Sequence, residues 1–303
     1  MVVLTRPEGP QPEDFTHSRR AVAGLFFAGY ALAAVSAQAE PIATDATGLE
    51  AHEVRIPAKD DRYLPAYMAR PAADGHYPVV VVICEVFGIH EYIRDICRRL
   101  AKLGYAAVAP AFFFRAGDPA PLTDFEEIKK IVATATNEQV MGDIDSTLTW
   151  LGDQKWADRK RLAITGFCWG GGVTWMAVSR FAEFKAAAAW YGRLAPPAAG
   201  DFGGDEKRQW PLQLAGQMHA PVLGLYAGLD KGITAESIEQ MRAAMKAAGK
   251  KTEIVVYPDA QHGFHADYRP TYNEKDARDG WARMLAWFKA NGVAPGAKKG
   301  MFG

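Results

Sequence analysis

Three side chains of this sequence have the types that can share one nucleophilic reaction: Cys168, Asp230 and His262, in that order along the chain. A thiol attacks well only once ionised. An imidazole can take its proton, and a carboxylate can fix the imidazole's tautomer and stabilise its cation. Cys168 lies in Leu162-Ala163-Ile164-Thr165-Gly166-Phe167-Cys168-Trp169-Gly170-Gly171-Gly172, a short apolar strand that turns at once into a helix. A nucleophile at such a turn sits on strained backbone, and side chains two positions either side would collide with the neighbouring strand and helix. Gly166 and Gly170 remove those collisions. The turn also sets the thiol at a helix N-terminus, where free N–H groups and the helix dipole favour a thiolate and a developing oxyanion. The plainer alternative is a small apolar residue filling a tightly packed turn. A redox pair would need a second cysteine at C-x-x-C spacing, and a phosphate loop would need Lys-Ser or Lys-Thr after the glycines; neither occurs.

Asp230 closes Tyr226-Ala227-Gly228-Leu229-Asp230, and His262 lies in Pro258-Asp259-Ala260-Gln261-His262-Gly263-Phe264. Nucleophile, acid, histidine is the chain order of α/β-hydrolases. Asp259 competes for the acid's place but sits in a tight turn directly before His262, so Asp230, at a separate strand end, is preferred. His262, His265 and Asp267 could also suggest a metal site, yet a donor set from one glycine-containing loop without cysteine is thin. Neither metal nor cofactor is expected. Glu85 follows an apolar run in which an unpaired acid would be costly to bury. It reads either as a second acid beside the thiol or as a helix-capping or surface-loop carboxylate.

These residues need a frame. Apolar stretches predict strands over Glu53–Ile56, Leu64–Ala69, Val79–Ile83, Ala106–Ala109, Leu162–Thr165, Ala186–Trp190, Val222–Tyr226 and Glu253–Tyr257. Helical patterns cover Tyr92–Leu103, Val140–Leu151, Val173–Phe181, Ala235–Ala248 and Ala277–Ala290. Continuous apolar strands alternating with helices imply an α/β fold whose mostly parallel sheet carries helices on both faces. Glu85, Cys168, Asp230 and His262 all fall just after the C-terminal ends of strands, where such sheets form their crevice. The Pro/Gly-containing stretch from Arg193 to Gln217 reads as a surface loop rather than a flap.

The 303 residues carry 35 basic and 35 acidic side chains, so no charge excess or basic–aromatic stripe points to nucleic acid. Ser18-Arg19-Arg20, an uncharged Ala/Gly-rich stretch to Val35, and Ala37-Gln38-Ala39 before Glu40 read as an export signal of twin-arginine type, removed after Ala39. That divides the chain into a signal, 1–39, and one domain, 40–303, in the periplasm. The apolar stretch is shorter than the roughly 20 residues a membrane span requires, so no stable span is expected after cleavage. Cys84, Cys97 and Cys168 form an odd set, so at least one stays free or pairs between chains.

Together these segments resemble the dienelactone hydrolase, or carboxymethylenebutenolidase, family. The resemblance runs from about Glu53 to Gly292. It rests on Glu85-Val86-Phe87-Gly88, the stretch from Arg98 to Tyr105, Gly166-Phe167-Cys168-Trp169-Gly170-Gly171, Trp190-Tyr191-Gly192, Gly224 to Asp230, and Tyr257 to Phe264. It implies an α/β-hydrolase fold and a triad of Cys168, Asp230 and His262, with Glu85 as an extra carboxylate that helps ionise the thiol when substrate arrives. It also implies an oxyanion hole from the backbone N–H groups of Val86 and Trp169. Family members hold a substrate carboxylate with an arginine pair. Four positions after the histidine this chain has Ala266, so Arg115, Arg193 and Arg269 are the candidate replacements. Phe87, Arg115, Tyr191, His265 and Tyr268 are expected to contact a small lactone or ester, and Phe112, Phe113, Phe114 and Trp190 to add aromatic walls. The implied reaction is thiolate attack on an enol lactone, a thioester, and hydrolysis. A broader carboxylesterase or thioesterase, a periplasmic binding protein that keeps the fold, and a thiol-redox protein are the competing functions.

Overall fold

A computed structural model describes residues 41–197 and 209–295. Eight strands form one sheet: β1 (Leu49–Pro57), β2 (Tyr63–Pro71), β3 (Tyr77–Ile83), β4 (Ala106–Pro110), β5 (Ala157–Phe167), β6 (Phe184–Trp190), β7 (Val222–Ala227) and β8 (Thr252–Tyr257), ordered β1-β2-β4-β3-β5-β6-β7-β8. β1 and β2 are antiparallel to each other and β2 to β4, and every pair from β4 to β8 is parallel. The parallel centre is made of near-continuous apolar runs; Val79 to Ile83 have no solvent contact at all. Such runs suit strands covered on both sides.

Successive residues of β5 demonstrate the two covered faces. Thr165 reaches the sulfur of Met284 on α6 (Glu274–Ala290), while Gly166 packs against α4 (Trp169–Arg180). The remaining helices are α1 (Glu91–Lys102), α2 (Phe125–Ala133), α3 (Asn137–Gly152) and α5 (Ala235–Ala247). Asp124, Thr136, Thr234 and Asn273 each accept a backbone N–H in the first turn of α2, α3, α5 and α6, satisfying donors the helix itself leaves open.

All eight strands and five helices expected from the sequence are present. β1 and β5 begin earlier than their apolar stretches because half-exposed residues extend the pairing. α4 begins at Trp169 rather than Val173, since tertiary packing of Gly170, Gly171 and Gly172 overrides their poor helix propensity. Helix α2 was not expected; its signal was Phe125, Ile128 and Val132 on one buried face. Within the stretch read as a surface loop, Pro211–Gln217 forms a 3₁₀ helix, and residues 198–208 lie outside the described residues. So does the expected export signal. Among the described residues no helix is long and apolar enough to cross a membrane.

The chain passes close to itself where the end of β6 meets α4. A Cβ on Gly192 would stand 2.2 Å from the Gly171 carbonyl carbon and 2.3 Å from the Gly172 nitrogen. Backbone cannot yield there as a flexible side chain would, so Gly192→Ala is expected to cost about 3 kcal/mol. Gly142 in α3 has open space around its Cβ position, and Gly142→Ala should stabilise by about 0.5–1 kcal/mol. Urea denaturation of both variants checks the contrast.

Candidate active site

Cys168 has φ 56° and ψ −118°, a conformation that non-glycine residues hold only when their surroundings enforce it. The enforcement is visible. The Cys168 N–H donates to the Trp190 carbonyl of β6 at 3.1 Å. A Cβ on Gly166 would lie 2.2 Å from the Gly170 oxygen, and one on Gly170 would lie 2.5 Å from the carbonyl oxygens of Ile83 and Cys84. The turn is thus pressed against the end of β3, beside the segment that begins with Glu85 and Val86. Trp169 is the first residue of α4, where a helix leaves backbone N–H groups without an internal acceptor.

His262 follows β8 and is bound by the acid after β7: its Nδ1 lies 2.5 Å from Asp230 Oδ2, while Asp230 Oδ1 accepts the Gly232 N–H at 2.8 Å. That bond places the proton on Nδ1 and turns Nε2 toward the thiol. Burial alone would lower the imidazole's pKa. The Asp230 carboxylate, the Cys168 sulfur and hydrogen bonds to both raise it to about 10. Asp259 is exposed, and Asp230 is the carboxylate that meets the imidazole. The Tyr191 ring flanks His262 at 5.0 Å between centroids.

Glu85 is completely buried, so it is no surface-loop carboxylate, and the N-cap of α1 is His90. Arg269 Nη2 donates to Oε1 at 3.1 Å, the Tyr268 hydroxyl donates to Oε2 at 2.6 Å, and His90 Nε2 stands 3.5 Å from Oε2. Desolvation pushes the carboxyl's pKa up, but Arg269, His90 and Tyr268 outweigh it and hold it at about 2. Arg269 also donates through Nε to the Tyr268 hydroxyl at 3.0 Å and lies between the Phe87 and Tyr268 rings, 4.9 and 5.3 Å from their centroids. The Arg269 guanidinium is within electrostatic reach of both Glu85 and Cys168.

Phe87 and Tyr268 are thus placed around the Glu85–Arg269 pair, and Arg269 is the arginine that the structure sets beside Glu85. Arg115 is a correction. Its guanidinium is committed to Asp143, with two bonds of 2.8 Å, and to Asp60 at 2.6 Å, so it braces the chain after β4 rather than reaching a ligand. His265 is a second correction. It is buried under the site, bonded through Nδ1 to the Tyr92 hydroxyl at 2.7 Å and packed on Trp190 and Trp281. Burial, with Arg99 nearby, lowers its pKa to about 3. His262, His265 and Asp267 go to three different partners, Asp230, Tyr92 and Arg99. Phe112 and Phe113 pack on Trp169, whereas Trp190 is core. His90 was missed by sequence reasoning; its only signal was a histidine five residues after Glu85, at the foot of a helix.

The sequence model described as "Dienelactone hydrolase family" matches residues 64–292. A protein of Methylorubrum extorquens named "Putative carboxymethylenebutenolidase" is 47% identical over 92% of this chain and 95% of its own length. One of a Bradyrhizobium species, named "Probable 2-oxo-3-(5-oxofuran-2-ylidene)propanoate lactonase", is 29% identical over 74% of this chain and 88% of its own. The crystal structure of a "Putative Dienelactone Hydrolase" from Klebsiella pneumoniae superposes with a TM-score of 0.74 at 45% identity, covering 80% of this chain and 98% of that one.

The raised His262 pKa has a consequence for stability. A group whose folded pKa exceeds its unfolded value stabilises fully below the unfolded pKa and loses that contribution as pH rises through the folded one. The stability advantage of the native chain over Asp230→Asn should therefore be greatest below pH 6.5 and shrink as pH climbs toward about 10. Urea midpoints of both proteins across that range check it.

Proposed function

The chain belongs to the dienelactone hydrolase family, and on that premise we propose that it is a cysteine-dependent hydrolase that opens enol lactones carrying a carboxylate, through a thioester on Cys168. The observation that carries this reading is the pairing of two devices in one crevice: the Asp230–His262 bond beside the strained Cys168, and the buried Glu85–Arg269 ion pair next to it. The first suits acyl transfer and the second suits recognition of an anion.

In the proposed reaction the substrate carboxylate draws Arg269 away from Glu85, and the two parallel N–H donors of a guanidinium fit that partner well. Glu85, relieved of its cation, helps take the Cys168 proton, and His262 is the group that shuttles protons afterward. The thiolate attacks the lactone carbonyl, forming the C–S bond while the N–H groups of Val86 and Trp169 receive the oxyanion. Collapse breaks the ring C–O bond and releases an enolate, which takes up the proton that Cys168 gave to Glu85. Sulfur is itself a good leaving group, so its adduct goes forward only when the competing leaving group is stabilised, as an enol is. Water activated by His262 then cleaves the thioester and frees Cys168. The Bradyrhizobium relative's name describes an enol lactone that bears a carboxylate, the chemical class proposed here.

A broader carboxylesterase or thioesterase would use the same three residues without needing Arg269, so comparison of a dienelactone with a neutral aryl ester separates the two. The periplasmic location remains a proposal resting on Ser18 to Ala39; mass spectrometry of alkylated periplasmic protein tests both the cleavage site and the reduced state of Cys168.

Cys168→Ala is expected to abolish turnover of dienelactone by the purified protein, and iodoacetamide to do the same to the native chain. Turnover that survives both contradicts the nucleophile assignment. Arg269→Lys keeps a charge beside Glu85 but loses the guanidinium fork, so KM for dienelactone should rise about tenfold while p-nitrophenyl acetate hydrolysis is spared. Steady-state kinetics on the two substrates reads the difference.

A further inference from the structure

The loop that carries His262, Tyr268 and Arg269 is tied at a second point to α1, through buried charges that the proposed reaction does not use. Asp267 is 2% exposed and pairs with Arg99. Arg99 Nε also donates to Asp95 Oδ2 at 2.5 Å, and Asp95 accepts from Arg98 at 3.0 Å and from the Thr44 N–H at 2.6 Å. Arg98 in turn donates to the Thr44 carbonyl at 2.8 Å and pairs with Glu91. The backbone at Thr44 thus binds both Asp95 and Arg98.

The placement of this cluster relates the two halves of the Glu85–Arg269 pair. Glu85 stands on the loop that leads directly into α1, with His90 at the helix's N-cap; Arg99 projects from the same helix two turns later. Arg269 stands two residues after Asp267 in a chain of tight turns, Ala266 N–H to the Gly263 carbonyl at 2.8 Å and Arg269 N–H to the Ala266 carbonyl at 3.0 Å. The helix is one arm, the loop is the other, and Arg99–Asp267 is the brace between them. A buried ion pair adds little net stability over an apolar contact of the same size; what it fixes well is direction and distance.

We propose that Arg99 and Asp267 are positioning residues for the reaction: their ion pair sets the Arg269 guanidinium against Glu85 and within reach of an anionic group arriving at Cys168. The inference rests on the anion-recognising site described above. Its prediction is selective. Loosening the brace should weaken recognition of a negative charge at the thiol and leave attack by the thiol itself intact.

Asp267→Asn preserves shape and removes the charge. Two readouts apply: the rate at which the Cys168 peptide is alkylated by iodoacetate relative to iodoacetamide, one anionic and one neutral, and the kinetics on dienelactone and on p-nitrophenyl acetate. Asp267→Asn should lower the iodoacetate preference and raise KM for dienelactone, each about tenfold, with kcat on the neutral ester within about twofold of native. If the single variant does not fold, Arg99→Gln with Asp267→Asn leaves no unpaired charge between these two positions and should show the same selective loss. An unchanged alkylation ratio and KM in a folded variant overturns the proposal, as does equal loss on both esters. A native protein that ignores dienelactone while the variant loses its iodoacetate preference sinks the lactone reading and leaves the brace standing; native turnover of dienelactone with an unaltered preference in the variant does the reverse.

Discussion

Glu85 carries a negative charge with no solvent contact, and the arrangement around it follows from that. An ionised carboxylate in a low-dielectric interior is held only if opposite charge and hydrogen-bond donors surround it. Arg269, Tyr268 and His90 supply them. They come from two places: Arg269 and Tyr268 from the loop after β8, His90 from the cap of α1. The demand of one buried carboxylate thereby draws together the loop carrying His262 and the strand end against which the Cys168 turn is pressed. Removing the cation from such a pair costs about 3–5 kcal/mol.

Two kinds of strain meet in this crevice. Cys168 holds a left-handed backbone because Gly166 and Gly170 allow strand and helix to close on either side of it. The imidazole of His262 is held against both Asp230 and the thiol, and its pKa is lifted well above its ordinary value by them despite burial.

Much of this was legible in the chain. The order Cys168, Asp230, His262, the two glycines flanking the thiol, and the strand ends that carry all three follow from periodicity and local sterics, which are properties of neighbouring residues. Glu85 was legible as an anomaly, an acid after an apolar run, but not as to its partners, because Arg269 is 184 positions away. Arg115 and His265 misled for the same reason. Their chemistry suits a substrate, and only the fold brings Asp143 to one and Tyr92 to the other. Helix α2 was overlooked because it is short, with three buried positions to mark it.

The most direct test of the account is to trap the acyl-enzyme. His262→Gln leaves the thiol and its pocket but starves the second step of its base, so a dienelactone-treated sample quenched in acid should carry the mass of the opened lactone on the peptide containing Cys168, in a hydroxylamine-labile bond. An unmodified Cys168 peptide in a variant that still consumes the lactone, or an adduct on any other residue, would contradict thioester catalysis at this site.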